Sequence, residues 1–128
     1  MCYQVVRTEL IKTEAATKAV ETAVGATLDT RSASRVVFWI KYTKGDETSV
    51  TFRPYFLHTS GGDEFQQVEW STSLGDKSAT AASYTVNATG NYYIVLDTKG
   101  VNYVKLTEDA LLGTPTGTTE VYATIVEE

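Results

Sequence analysis

The chain has 128 residues, 42% of them hydrophobic and 11% aromatic, with 11 basic against 16 acidic side chains for a net charge of −5. That length suits one domain able to remove roughly two-thirds of its unfolded surface from water, and the apolar content excludes wholesale disorder. The cations are scattered, with Arg31/Arg35 and Lys41/Lys44 the close pairs, which speaks against a nucleic-acid partner because phosphate backbones select clustered Lys and Arg.

Cys2 is the single cysteine. No internal disulfide and no Cys-based metal site can form, so the core must hold the fold, as expected of a protein folded in a reducing cytosol. The N-terminus lacks a basic segment followed by an apolar stretch, and no run approaches the roughly 18 apolar residues of a membrane span. Neither a secretory signal nor a membrane partner is expected. Without a secretory route, Asn87-Ala88-Thr89 is a chance match to a glycosylation acceptor.

In chain order, residues 2 to 10 alternate loosely, as a first strand or an extended arm would. Between Thr13 and Val24 the period is ambiguous. Ala16, Val20 and Val24 recur at helical spacing, and so do Ala15, Ala19 and Ala23, while Gly25 to Thr30 looks extended. Residues 1–24 are therefore read as an N-terminal arm or short helix, and 25–128 as the folded domain.

From Arg35 the alternation is clear. Val36, Phe38, Ile40 and Tyr42 share one face and Val37, Trp39 and Lys41 the other. Both faces are fairly apolar, which predicts a central strand covered on both sides or at an interface. Lys44-Gly45-Asp46-Glu47 then reads as the turn of a β-hairpin into Ser49 to Phe56. Pro54 cannot donate to a ladder, so this second strand is expected at an edge or with a bulge.

His58 to Phe65, with Gly61-Gly62-Asp63, is predicted as a loop, Val68 and Trp70 as a short strand, and Ser71 to Ser78 as a polar loop. Ala82, Tyr84 and Val86 alternate with polar residues before Gly90-Asn91 turns the chain into Tyr92 to Leu96. Val101 to Leu106, a Gly113-to-Gly117 turn and a terminal strand from Thr118 to Val126 complete the pattern. About eight or nine antiparallel strands at this spacing specify an all-β chain, a jelly-roll-like β-sandwich.

No catalytic constellation emerges. His58 is the only histidine and follows a strand at a loop entrance, where a structural role is expected rather than that of a general base. Cys2 lies in the terminal segment, badly placed for a catalytic thiol. Asp46/Glu47 and Asp63/Glu64 fall in predicted turns, where acids are usually solvated, and they match no 12-residue calcium loop. Gly61-Gly62 and Gly113…Gly117 lack the strand–helix setting and the Lys-Ser/Thr of a phosphate cradle. The expectation is a non-enzyme without cofactor or metal.

The aromatic residues are the remaining signal. Most should fill the space between two sheets, and any left exposed could form a stacking patch for sugars or a protein partner. Tyr3 and Val5 in the arm and Trp39, Tyr55, Tyr93 and Tyr103 on the strands are the candidate interface residues.

Tyr42 to Ser49 resembles a hairpin common among small β-sandwich virion proteins of tailed bacteriophages. Tyr92 to Leu96, Tyr103 to Leu106 and Gly113 to Thr118 look like the closing strands of the same group, so the resemblance spans about residues 25 to 126. It implies a structural part of a virion that binds other virion proteins such as major capsid or connector subunits. Capsid decoration is the first expectation, and a head–tail connector or tail component the alternative. Such proteins assemble as trimers or rings, and the group offers no catalytic residues to carry over. A carbohydrate-binding sandwich module is the rival reading. It would need exposed coplanar rings, with Trp39 and Trp70 the first to check.

Overall fold

The computed structural model describes residues 5–73, 76–111 and 115–127. Twelve strands carry the regular structure: β1 (Val5–Ala16), β2 (Thr22–Ala23), β3 (Leu28–Asp29), β4 (Ala33–Thr43), β5 (Ser49–Leu57), β6 (Phe65–Gln66), β7 (Val68–Ser73), β8 (Asp76–Ala81), β9 (Tyr84–Val86), β10 (Gly90–Asp97), β11 (Tyr103–Leu111) and β12 (Thr118–Glu127). Ten of them form two antiparallel sheets. The first has the order β1-β12-β4-β10. In the second, β11 pairs β2 and β3 on one side and β5 on the other, and β5 in turn pairs β6 and β9. The protein is an all-β sandwich.

Period-two alternation builds the core as predicted. The inward set of β4 (Val36, Phe38, Ile40, Tyr42) is buried beside Val121, Ala123 and Ile125 of β12 and Ile94 and Leu96 of β10. The second sheet contributes Val50 and Phe52 from β5 and Val104 and Leu106 from β11 to the same cluster. Each large apolar side chain in it contributes about 1.5–3 kcal/mol by leaving water. β4 is the predicted central strand, flanked by β12 and β10.

The chain departs from the sequence expectations in its connections. β4 and β5 do not form a hairpin: the Lys44–Thr48 turn carries the chain from one sheet to the other. Tyr42 and Val50 therefore belong to opposite walls of the core, as two packed layers require. The Gly90 turn likewise joins β9 of the second sheet to β10 of the first. The Ser71–Ser78 stretch expected as a polar loop belongs mostly to a hairpin, with Trp70 opposite Ala79 and Ser73 opposite Asp76, and this hairpin forms a two-stranded sheet of its own. Pro54 causes no shift in the β5–β11 ladder, where it sits opposite Leu106. On the other side of β5, β9 pairs only as far as Phe52 and β6 begins at Tyr55. The missing N–H thus falls where that flank has no partner strand.

The ambiguous N-terminal segment is strand at its two ends, in β1 up to Ala16 and in β2 at Thr22–Ala23, with residues 17–21 outside any strand, and the described residues include no helix. β1 runs along the edge of the first sheet, from Val5 opposite Glu127 to Ala16 opposite Thr118. Pairing of Ala15 and Ala16 with β12, and of Ala23 with β11, stands in place of the i→i−4 bonds that the alanine spacing would favour, a case of tertiary pairing overriding propensity. Further on, Val24 is buried and donates its N–H to Leu106 O at 2.8 Å.

Candidate interaction surface

The outward set of β4 is not covered. Trp39 is 45% exposed, with Tyr93 of β10 and Tyr122 of β12 registered on either side of it. The Trp39 and Tyr93 rings lie 5.7 Å apart at 38°, within the range of favourable aromatic pairs. Trp39 Nε1 donates to Thr124 Oγ1 at 2.8 Å, and that hydroxyl lies 2.7 Å from Thr8 Oγ1 on β1. Val37 separates Thr124 from Val95, and Leu10 of β1 stands opposite Tyr122. Tyr93 is 67% and Val95 49% exposed. The apolar rows end in polar ones: Lys41 and Glu120, 3.8 Å apart, at one end, and Arg35 opposite Asp97 at the other. Large exposed apolar faces rimmed by polar residues mark interaction sites in folded proteins.

β1 extends this surface. Val5, Val6 and Leu10 are each about half exposed or more, and the other side chains from Arg7 to Glu9 are exposed as well. Its first half therefore borders the sheet without entering the core. Register shifts on both sides of Lys12 mark an irregularity at Ile11–Lys12. Such a bulge re-aims side chains, and here two neighbours, Ile11 and Lys12, are both partly buried.

The six candidate interface residues separate. Trp39, Tyr93 and Val5 lie on the first sheet, and the structure brings the first two together. Tyr55 and Tyr103 lie on the second sheet, whose outer face is bound up in polar contacts. Tyr55 OH donates to Glu21 Oε2 at 2.5 Å and Thr107 Oγ1 to the same oxygen at 2.6 Å. Burial pushes the Glu21 pKa upward, but the bonds from Thr107 and Tyr55 outweigh it and leave it lowered. Tyr103 lies under the Arg31 guanidinium at 5.4 Å. Arg53 pairs Asp109 at 3.3 Å and Lys105 pairs Glu64 at 2.9 Å. Tyr3 and Cys2 lie outside the described residues, as does the side chain of Trp70.

Glu47 corrects the reading of the turn acids as solvated. It is fully buried at the β4–β5 crossing. Its Oε2 accepts from Tyr42 OH and from Gly45 N at 2.8 Å, and its Oε1 from Thr116 N at 3.1 Å and Gly117 N at 2.8 Å. Burial pushes its carboxyl up, yet the bonds from Gly45, Tyr42 and Gly117 prevail and hold it at about 2. Burial, then the bond to Glu47, raises the Tyr42 hydroxyl. At Gly117 any Cβ would collide with Glu47 Oε2 and Thr43 O, so this close approach requires glycine. With all its lone pairs engaged, this carboxylate locks a chain crossing and is not free for acid–base work. Asp46 is exposed. His58 lies just past β5, exposed, with its ring edge-on to Phe65 at 5.2 Å.

Sequence reasoning missed a second buried acid, Glu108 of β11, 1% exposed. It pairs with Lys12 Nζ of β1, and Thr119 Oγ1 of β12 donates to its Oε2 at 3.0 Å. Lys12 also reaches Thr119 Oγ1 at 2.5 Å. The cluster ties the edge strand of one sheet to the middle of the other. An acid at a position inward by alternation, between Leu106 and Ala110, was the one available signal.

No family model and no curated protein matches the sequence. Solved structures do share its fold. The SPBc2 prophage-derived protein YomS is similar at 13% identity with a TM-score of 0.59, over 99% of this chain and 97% of its own. A structure of Bacillus endospore appendages, described as disulfide-linked pili, is similar at 13% identity and TM-score 0.56, over 98% of this chain and 90% of that one. A chain of infectious bursal disease virus, Gx strain, matches at 12% identity and TM-score 0.53 over 97% of this chain, which spans 32% of the viral one. At such identities the likeness is one of fold, a sandwich shared over essentially the whole length of this chain.

Proposed function

We propose that this protein is a non-enzymatic structural subunit of a bacteriophage particle, a capsid decoration or accessory protein that binds neighbouring virion subunits. The observation that carries the reading is the outer face of the first sheet, where Trp39, Tyr93 and Val95 stay exposed although β4 and β10 bury Phe38, Ile40, Ile94 and Leu96 on the other face, and where Leu10 of β1 adds to the exposed surface. Such a face favours association, because covering it removes apolar area from water at about 25 cal/mol per Å². The whole-chain likeness to a prophage-derived protein, and the further likeness to a pilus and a virus chain, support an assembled role. The engagement of Glu47 in the fold takes that acid out of the set available for catalysis. A head–tail connector or tail component would use the same face.

The carbohydrate-binding alternative gains from the exposure of Trp39. It loses from the 38° tilt between Trp39 and Tyr93, since a flat sugar platform needs coplanar rings. Light scattering across a range of concentrations separates the two. The intact chain is expected to form a defined oligomer, such as a trimer or ring, and Trp39→Glu/Tyr93→Glu to remain a folded monomer with unchanged circular dichroism. A strict monomer whose Trp39 emission responds to a glycan array hit would overturn the structural reading.

A further inference from the structure

We propose that β1 is exchanged between two copies of this chain, so that Lys12 of one copy pairs with Glu108 of the other. The inference rests on the structural-subunit reading and gives that assembly its connecting element. Three observations carry it.

First, β1 is an edge strand whose opening half, Val5 to Leu10, is exposed on both faces. Releasing that half from β12 gives up ladder bonds but almost no core. Second, the groove that β1 occupies is marked by a single buried charge. Glu108 is enclosed, and among the described residues its one cation is Lys12, delivered from β1 across the gap between the sheets. A strand that filled the groove without a lysine would cover the carboxylate and give it no cation, which is strongly unfavourable. The groove therefore selects an occupant carrying a lysine in the register of Lys12, beside an apolar neighbour like Ile11. A second copy of this chain supplies that strand by construction. Third, the link from β1 to β2 can open: Lys18, Ala19 and Val20 are exposed, with Val20 at 75%, and belong to no strand. Thr17 N donates to Gly117 O and Ala110 N to Lys18 O on the near side of this link. Both bonds can be remade by the incoming copy, since they belong to the same groove.

Exchange preserves every contact of β1 while joining two chains, which is why swapped elements are a low-cost route to dimers. Lys12 and Glu108 act as the key and lock that fix which strand enters and in which register. The main-chain bonds along β12 supply the cohesion.

Two experiments test this. In the first, cysteines replace the facing hydroxyls of β1 and β12 in the full-length chain, Thr8→Cys with Thr124→Cys, and Cys2→Ser removes the native thiol. After oxidation of the assembled protein, exchange predicts a covalent dimer on a non-reducing gel. A band at the mass of one chain alone would overturn the proposal. In the second, Lys12→Glu and Glu108→Lys variants are unfolded, mixed in equal amounts and refolded together. Each alone places like charges in the groove and is expected to yield little soluble protein. Together they restore opposite charges only in trans, so a soluble species containing both chains is expected. If a single chain carrying both Lys12→Glu and Glu108→Lys refolds as a monomer and the mixture gives no mixed species, β1 stays with its own chain. An oligomeric wild type, together with disulfides only within chains in the Thr8→Cys/Thr124→Cys variant, would discard exchange and leave the structural role standing. A monomeric wild type together with that same result in the variant would discard both.

Discussion

Among the described residues two glutamates are buried, and each is satisfied in a different way. Glu47 sits at the β4–β5 crossing, where backbone N–H groups of Gly45, Thr116 and Gly117 and the Tyr42 hydroxyl surround it. Glu108 sits beneath the edge of the first sheet and depends on the ammonium of Lys12 and the hydroxyl of Thr119. The first site is made of fixed backbone and forms wherever the crossing forms. The second is completed by one side chain on a strand that is exposed along half its length. The fold thus holds one acid rigidly and makes the other conditional on β1 being seated.

The largest effect is expected from removing the conditional partner. Lys12→Met keeps an unbranched side chain one atom shorter but leaves Glu108 buried without a cation, which costs about 3–5 kcal/mol for a buried pair broken on one side. That is a large fraction of the roughly 5–15 kcal/mol stability of a domain. Denaturant unfolding monitored by Trp fluorescence measures it. A loss below about 1 kcal/mol, the range of an exposed ion pair, would mean that water reaches Glu108.

Glu47→Gln breaks the rigid site and comes next. A glutamine amide must point its NH2 at Gly45 N–H or at the paired N–H groups of Thr116 and Gly117, leaving a buried donor without an acceptor. Holding the Glu47 carboxyl at about 2 instead of 4.5 corresponds to about 3 kcal/mol of stability. Because the folded value is the lower one, this contribution is fully present above pH 4.5 and disappears as the pH falls through about 2. The difference between wild type and Glu47→Gln should therefore be greatest at neutral pH and shrink steadily towards pH 2, as thermal melts across that window would record. A difference independent of pH would assign the loss to packing instead.

The contrast also explains what the residues could and could not reveal in advance. The alternation of Val36, Phe38, Ile40 and Tyr42 placed β4 and its buried face, because side-chain direction in a strand depends only on the parity of position. The same logic placed Tyr84 and Val86 on the core side of β9. Sheet membership was not legible, because Lys44-Gly45-Asp46-Glu47 suits a hairpin and a crossing equally well. What decides between them is a contact from Glu47 to Gly117, 70 positions away. The Lys12–Glu108 pair spans 96 positions and left a trace only as an acid among inward-facing residues. At β4 the uncovered face was ambiguous for a related reason: Val37 and Trp39 are as apolar as core residues, and only the whole assembly of strands leaves Trp39 outside. The alanine spacing at residues 15–23 favoured a helix locally and lost to strand pairing at its two ends, Ala15 and Ala16 with β12 and Ala23 with β11.

The smallest stability effect is expected from replacing both members of the conditional site. Lys12→Met/Glu108→Leu exchanges an ion pair for two apolar side chains of similar bulk, a change that is commonly neutral or stabilising in buried pairs. Most of the loss in Lys12→Met alone should then be recovered, the non-additivity that marks direct coupling. Thr119 keeps its hydroxyl without the Glu108 acceptor, which limits the recovery by about 1 kcal/mol. What the double variant should lack is selectivity. With an apolar groove, β1 is no longer held in one register by a charge, and strands lacking lysine can compete for the edge of β12. Competition of a synthetic β1 peptide, with and without lysine at position 12, for the refolding double variant measures this. Equal uptake of the two peptides is expected there, and strong preference for the lysine peptide by a wild-type chain truncated before Thr17. Equal uptake by that truncated chain as well would mean that the ion pair adds stability to the sandwich and nothing to the choice of strand.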